Sequence, residues 1–321
     1  MRCIALFSGG IDSILAVRLM QEQNIGVEAL NVKIGLETDD YEDRIDAICN
    51  ELGIKCHIID DSDQFLNKAL YKTIHGYNEY LDPCLDYKAN YYFMAWERMK
   101  NTNADFIISG DVLDQKSSDQ LSAHFKALDE VLGEIRDYLL RPLSAKLLEP
   151  TIPEKEGWVD REKLMAFSGK SKKPIMELFH TYHYKDYPVS KGCFLSNESF
   201  SKRLKIFHFK YEINQNNLPL LRIGRFFLVN DYVLLIGKND LDNAFIQNYK
   251  DDNFIKIMPE ISNAPYALLD RFATEEEKKY ACRVILKYAK TDDKESAKIK
   301  IGDTVYDELP MSDEEVCHSM I

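Results

Sequence analysis

The chain has 321 residues, 45% hydrophobic and 29% charged, with a formal net charge of −12. That length allows one large domain or two to three small ones, and the composition is that of an ordinary soluble globular protein. No apolar run reaches the roughly 18–20 residues of a membrane span, and the start lacks the basic region and apolar stretch of a signal peptide, so a cytoplasmic location is expected.

In chain order, "CIALF" (3–7) reads as a buried strand and "ILAVRLMQEQN" (14–24) as a helix packed on a sheet. Then follow "VEALNV" (strand), "DYEDRIDAICNELG" (helix), "KCHIID" (strand), a helical stretch through Tyr71, a helix around Tyr91–Met99 and "DFIISG" (strand). This alternation with short connections predicts an α/β fold with a parallel sheet covered by helices on both faces. Ligands in such sheets sit beyond the carboxyl ends of the strands, where "SGGIDS", "DPCLDYK" and "SGDVLDQ" would converge.

From Arg141 the texture changes to a proline-containing segment, with a capped helix expected after Gly157. Residues 141–210 carry 14 Lys/Arg against 8 Asp/Glu, a basic island in an acidic chain. Contacts with phosphates are local and screened beyond about 8–10 Å, so the net charge does not exclude a polyanion there. From about Tyr211 the pattern is strand-rich ("LLRIGRFFLV", "YVLLIGKND"), followed by a helix at "EEEKKYACRVILKYA" and an acidic, poorly packed tail after Asp307. The expected domains are 1–140, a smaller middle module at 141–210, and an α+β C-terminal domain at 211–321.

The segment "SGGIDS", Ser8 to Ser13, joins the first strand to the first helix. Backbone N–H groups of Gly9, Gly10 and Ile11, the Ser8 and Ser13 hydroxyls and the helix dipole together make an anion site. It lacks the Gly-Lys-Ser/Thr of a Walker loop, so nothing in it reaches the γ-phosphate. The stretch resembles the PP-loop (S-G-G-x-D-S) of the ATP pyrophosphatases at all six positions. That resemblance implies a Rossmann-like, HUP-type domain that binds ATP at Ser8, Gly9, Gly10, Ile11, Ser13 and Gly110. It also implies cleavage of ATP to AMP and pyrophosphate, with Asp12 orienting Mg²⁺ or the loop.

Two cysteine segments narrow the resemblance. "DPCLDYKANYYF" (82–93) and "GCFLSNESFSKRL" (192–204) resemble the two cysteine regions of the tRNA thiouridine synthases. "GDVLDQKSSDQ" (110–120) and the stretch from Leu140 to Glu162 resemble a bacterial and archaeal group related to them, over roughly residues 1–210. The implied activity is ATP-dependent thiolation of a tRNA uridine: the carbonyl is adenylated, and sulfur displaces AMP. Cys84 and Cys193 would carry the sulfur as a persulfide relay or hold an iron–sulfur cluster; Tyr87 stands where relatives have a second cysteine, which leaves a cluster without one ligand. Cys3, Cys49, Cys56 and Cys282 sit at apolar positions and read as core residues, and Cys317 lies in the tail.

Asp111 and Gln115 are expected to line the site or cap its loop. Arg141, Lys146 and Arg161 are phosphate contacts or surface ion pairs, and Lys170, Lys172 and Lys173 are RNA contacts. "LLRIGRFFLVNDYVLLIGKNDLDNAF" resembles the RNA-binding domain of NFACT-type proteins, with Arg225, Lys238 and Asn243 at the surface and Phe226 and Phe227 stacking or buried. The implied partners are tRNA and a sulfur donor protein or sulfide source. Two other readings fit the loop: an adenylating ligase that transfers nitrogen to a small molecule, and a non-catalytic, ATP-regulated RNA-binding protein.

Overall fold

The computed structural model describes residues 1–37, 40–65, 84–115, 118–182, 198–289, 296–317 and 320–321; the side chains of Cys84, residues 118–124 and Cys317 lie outside that set. The chain falls into two compact units, Met1–Cys193 and Phe194–Ile321. The basic stretch 141–210 is shared between them, with 141–182 in the first unit and 198–210 in the second.

In the first unit, β1 (Arg2–Leu6), β2 (Gly26–Lys33), β3 (Lys55–Asp60), β4 (Phe106–Ser109) and β5 (Leu139–Leu140) form a sheet in the order β3-β2-β1-β4-β5. All four pairings are parallel. Helices α1 (Ile11–Gln21), α2 (Tyr41–Leu52), α3 (Cys84–Thr102), α4 (Ser118–Leu132) and α5 (Lys173–Thr181) cover it. Successive strand residues face opposite ways. Cys3 and Ala5 therefore join one core with Ile14 and Leu15 of α1, Ile45 of α2 and Ile175 of α5. Ile4 and Ile107 join another with Tyr92 and Ala95 of α3 and Leu128 of α4. With both faces covered, strands read as continuous apolar runs, and each buried aliphatic contributes about 1.5–3 kcal/mol.

The expected helix around Tyr91–Met99 lies inside α3. Most of the expected helical stretch through Tyr71 lies outside the described residues, which hold only a helical turn at Ser62–Gln64. The helix expected just after Gly157 is a correction: Arg161–Lys163 makes a 3-10 turn, and the next α-helix starts at Lys173. The capping box lies before Gly157, at Thr151 and Glu154.

The second unit opens with α6 (Glu198–Lys210). Strands β6 (Arg225–Val229), β7 (Tyr232–Ile236), β8 (Phe254–Ile257) and β9 (Ala267–Asp270) make an antiparallel sheet in the order β6-β7-β9-β8. Helices α7 (Asp240–Asn248) and α8 (Glu275–Tyr288) accompany it, and β10 (Ala297–Ile301) and β11 (Thr304–Glu308) form a separate hairpin. Asn230 and Asp231 between β6 and β7 have φ of 45° and 70°, the left-handed pair of a tight hairpin turn. Phe226 and Phe227 are both fully buried, which excludes them as stacking platforms.

The tail expected to be poorly packed is docked instead. Met311 and Val316 are buried, Glu315 of α9 (Asp313–Cys317) pairs with Arg283, and the Ile321 N–H donates to the Phe226 carbonyl. No described helix is long and apolar enough to cross a membrane.

Candidate functional site

The strand order reverses at β1, whose neighbours are β2 and β4. Ligands of open α/β sheets bind at such a reversal, outside the carboxyl ends of the strands. The Ser8–Gly10 loop leaves β1 there and enters α1. Its entry is fixed by β2: the Phe7 N–H donates to Leu30 O (2.9 Å), and Asn31 Nδ2 donates to Phe7 O (2.7 Å). Gly9 has φ of +70°, and a Cβ there would lie 2.7 Å from Ile45 Cδ1 of α2. Gly10 caps α1 in extended conformation. The Ser8 hydroxyl accepts from the Gly10 N–H (3.3 Å), and Ser13 Oγ donates to Gly10 O (2.8 Å). The first amides of α1 have no acceptor within the helix and point out of its N-terminus. All six motif residues thus make one turn, with Ser8 exposed and Ser13 buried.

Gly110 closes the other side. A Cβ on it would stand 2.6 Å from Asp12 C and Ser13 N and 2.8 Å from Asp12 O. These are backbone atoms of the first turn of α1, which cannot rotate away. Gln115 Nε2 donates to Asp12 Oδ2 (3.3 Å) from the same β4 loop. Burial raises the Asp12 carboxyl above its ordinary pKa; the Gln115 hydrogen bond and the Lys172 charge oppose this, and the Asp111 charge adds to it.

Asp111, next to Gly110, is a structural carboxylate. It accepts from Lys88 Nζ (2.7 Å), from Ser109 Oγ (3.2 Å) and from the Tyr92 hydroxyl. Burial alone would raise its pKa, but the Lys88 and Arg141 charges outweigh burial and hold it well below the usual carboxylate range. Arg141 is buried, pairs with Asp129 (2.8 Å) and lies over the Phe125 ring. Lys146 pairs with Glu162 and Arg161 with Glu154. The three candidate phosphate contacts of the 141–161 stretch are thus engaged in intramolecular ion pairs. Asp111 is a candidate from sequence; Lys88 and Tyr92, both within the 82–93 segment but not singled out there, complete its network.

Residues 167–173 lie along the β4 loop. Ser144 Oγ accepts from the Leu113 N–H (2.9 Å) and donates to Phe167 O (2.7 Å), and the Gly169 N–H donates to Leu113 O (2.8 Å). Lys170, Lys172 and Lys173 are exposed. Lys173 faces Glu177 at 3.9 Å, and Lys172 lies near enough for its charge to act on Asp12.

Cys84 is the first described residue of α3, while Cys193 lies outside the described residues. Tyr87, in place of a second cysteine, packs edge-on against Phe65 and Tyr91. Cys3, Cys49 and Cys282 are buried in the cores as expected, and Cys56 is half-buried. Burial pushes the Cys3 thiol up and raises that of Cys282 to about 12. Among the described residues no group of three His, Cys, Asp or Glu could hold a metal ion; the Cys84 side chain and Cys193 lie outside them.

In the second unit, Arg225 donates to Gly237 O (3.0 Å) and lies 4.1 Å over the Tyr288 ring. Lys238 is exposed; burial of its ammonium and the Arg203 and Arg225 charges lower its pKa. Asn243 is not a free surface amide: its Oδ1 accepts from the Tyr266 N–H (3.0 Å).

Residues 1–152 match the family described as the tRNA methyl transferase HUP domain, and residues 224–319 match the NFACT protein RNA binding domain. The chain is 28% identical over 163 residues to the tRNA-specific 2-thiouridylase MnmA of Legionella pneumophila, covering 47% of this chain and 44% of that one. It spans less than half the length of the curated relatives it matches there. Among solved structures it is similar to a 4-thiouridine synthetase in complex with RNA and bound ATP (TM-score 0.37, 16% identity, 68% of this chain and 52% of that one). It is also similar to the U34-tRNA thiolase NcsA of Methanococcus maripaludis, described with its [4Fe-4S] cluster (TM-score 0.37, 19% identity, 68% and 70%).

Two outcomes follow from this geometry. Gly110→Ala should displace the first turn of α1, costing about 1–3 kcal/mol in a urea melt. Asp111→Asn should leave Lys88 without its anion and Arg141 with Asp129 alone, and cost about 3–5 kcal/mol at neutral pH. Because the native Asp111 pKa lies below the unfolded value of about 3.9, its contribution is present above that pH and lost as pH falls through the native pKa. The difference in unfolding free energy between variant and wild type should therefore shrink on acidification below about pH 4.

Proposed function

We propose that this chain, which joins a PP-loop HUP domain of the tRNA-thiolase-like kind to an NFACT-type RNA-binding domain, is an ATP-dependent tRNA uridine thiolase. The observation that carries the reading is the six-residue Ser8–Ser13 turn at the sheet's reversal point, closed by Gly110. Amides at the α1 N-terminus would hold the pyrophosphate of ATP, with the Ser8 and Ser13 hydroxyls beside them. The uridine carbonyl oxygen attacks the α-phosphorus, and pyrophosphate leaves with the bonding electron pair. Asp12 is the one carboxylate of the loop, and it would hold Mg²⁺ together with phosphate oxygens. The ion supplies charge neutralisation when bound.

The adenylated carbon is then open to sulfur. One cysteine thiolate takes the outer sulfur of a sulfane-sulfur donor, which departs as its thiolate; that terminal persulfide sulfur forms the C–S bond, and AMP departs with the C–O electrons. The second thiolate attacks the sulfur of the first cysteine, leaving a Cys84–Cys193 disulfide and the thiouridine; a dithiol reductant restores both thiols. Only thiolates do this chemistry. Cys84 stands at the start of the 19-residue helix α3, where the helix dipole favours negative charge. Of the described cysteines, three are sealed in apolar cores, which supports assigning the chemistry to Cys84 and Cys193. Lys170, Lys173, Arg225 and Lys238 would contact the RNA backbone.

The enzyme incubated with ATP, tRNA and a donor of sulfane (persulfide-level) sulfur should release AMP and form thiouridine. ADP in place of AMP would remove the PP-loop assignment. Cys84→Ser and Cys193→Ser should each bind ATP and tRNA yet form no thiouridine, while Cys282→Ser stays active. Thiolation by Cys193→Ser at the wild-type rate would remove Cys193 from the sulfur relay, and AMP formed by the wild type without any thiouridine would favour an adenylating ligase acting on nitrogen.

The RNA contacts have their own measurement. Lys238→Ala should weaken tRNA binding and flatten its dependence on log salt by about 0.7–0.9, the slope of one phosphate contact. An unchanged slope would return Lys238 to the solvated surface.

A further inference from the structure

Phe226 and Phe227, the rings that the sequence offers for stacking, are buried, yet the second unit leaves two other phenylalanines outside. Among its described Phe and Tyr residues, Phe209 and Phe272 alone are exposed, at 76% and 75%. Phe207 and Tyr211, on either side of Phe209, turn inward and pack with Phe254, at ring distances of 6.2 Å and 5.1 Å. One carboxylate ties the two exposed positions together. Asp270, itself buried, accepts from the Tyr211 hydroxyl (2.6 Å) with one oxygen and from the Phe272 N–H (3.0 Å) with the other. Tyr211 and Asp270 are 59 residues apart in the chain, and each stands two residues from an exposed ring. The backbone at Phe272 is held from its flanks as well: the Arg271 N–H donates to Asn253 O (2.8 Å), and the Ala273 N–H donates to Asp270 O (3.1 Å).

Cations accompany both rings. In α6, Phe200, Leu204 and Phe207 enter the core, while Lys202, Lys205 and Phe209 recur at three- and four-residue spacing along the opposite, exposed face. Lys210 follows Phe209, and Arg271 precedes Phe272. Lys202 is occupied by Glu198 (2.9 Å), whereas Lys205, Lys210 and Arg271 have no carboxylate partner among the described residues. Exposed carboxylates at Glu212, next to Tyr211, and at Asp252, whose carbonyl accepts from Arg271 (3.2 Å), limit the positive charge to these few groups. A single exposed apolar side chain needs no explanation. Exposed aromatic rings interleaved with unpaired cations are the composition that holds unpaired nucleotides, since a ring face stacks on any base and the cations take the phosphates. An apolar protein partner covering the rings would instead strip water from cations it does not answer.

We propose that Phe209 and Phe272 are stacking platforms for unpaired nucleotides of an RNA, with Lys205, Lys210 and Arg271 on the adjoining phosphates. This rests on the reading of the second unit as an RNA-binding module. It adds a surface that includes α6, which lies outside the residues matched to the RNA-binding family. Backbone contacts at Arg225 and Lys238 would hold paired and unpaired RNA alike. Rings that need a splayed base select loops, bulges and single-stranded ends over helical stems. The tie through Asp270 fixes the backbone under both rings before RNA arrives, so little ordering is left to be done on binding.

Fluorescence anisotropy of the full chain with tRNA, single-stranded oligouridylate and a fully paired RNA duplex of the same length, over a range of salt, tests this. Phe209→Ala and Phe272→Ala should melt as the wild type does, because both rings are exposed. Each should weaken tRNA and oligouridylate by about 5- to 150-fold, the contribution of one stacked base. Neither should change duplex affinity or the salt slope, because stacking releases no counterion. Tryptophan at either position should keep the affinity and leucine should lose it, which separates stacking from apolar contact. Lys205→Ala should flatten the slope for oligouridylate by about 0.7. Wild-type affinity of both alanine variants for tRNA and oligouridylate overturns the proposal while leaving RNA binding elsewhere on the chain standing. An equal loss on the duplex overturns it too, and so does a loss of self-association at unchanged RNA affinity, which would make the patch an interface between copies. A wild-type chain that binds none of the three RNAs overturns the RNA reading of the second unit and the platforms together. The expected losses in a chain that forms no thiouridine would uphold the platforms and overturn the thiolase reading.

Discussion

The contact on which the first unit's site depends is between two backbones: Gly110, after β4, and the first turn of α1, after β1. These strands are parallel neighbours, so both chain segments leave the sheet at the same edge and compete for the same space. Only a residue without a Cβ lets them meet, since any side chain at 110 would overlap Asp12 and Ser13. The meeting has consequences on both sides. It stations Gln115 over the Asp12 carboxylate and holds Asp111 beside Lys88 and Tyr92. It also supplies Leu113 as the anchor for residues 167–169.

Charge balance at this edge is less obvious than its shape. A site for a polyanion that contains two carboxylates is electrostatically unfavourable unless each is answered. Asp111 is answered within the fold, by Lys88 and Arg141, and so contributes little field outward. Its partners are in turn held by Phe125, over which both cations lie, at 5.7 Å and 4.6 Å. Among the described residues Asp12 is answered by the Gln115 amide and the Lys172 charge, and burial keeps its pKa raised.

The parallel sheet and its phosphate loop were legible because their signals are local. A strand buried on both faces must be continuously apolar, and a strand-to-helix turn for an anion must be rich in glycine and hydroxyls. Gly110 and Asp111 were legible as residues of a strand end, although not what each does. The pairings that complete the site join residues distant in sequence, such as Ser144 with Leu113 and Arg141 with Asp129. No periodicity announces them. The tail misled for a related reason: its acidic residues suggest solvent, but Glu315 is matched by Arg283, and Met311 and Val316 supply the apolar contact that docks it. The fate of Phe226 and Phe227 needed the sheet, since both sit on central parts of β6 and bury on opposite faces of it.

The distribution of cysteines carries a last physical distinction. Sulfur transfer requires a thiol that can ionise near neutral pH, and burial in apolar surroundings opposes ionisation. Cys3 on the central strand and Cys282 on α8 are pushed the wrong way by burial, and Cys49 is pushed up by its hydrogen bond with Cys56 and by burial. These thiols are packing residues because the fold makes them so. Cys84 has a different setting. It begins a long helix whose next turn carries Lys88, and Lys88 is itself tied to Asp111 and hence to the Gly110 corner. The chain from Cys84 to the nucleotide loop therefore runs through one helical turn, one ion pair and one backbone contact. The start of α3 and the start of α1 are thereby drawn to the same edge of the sheet.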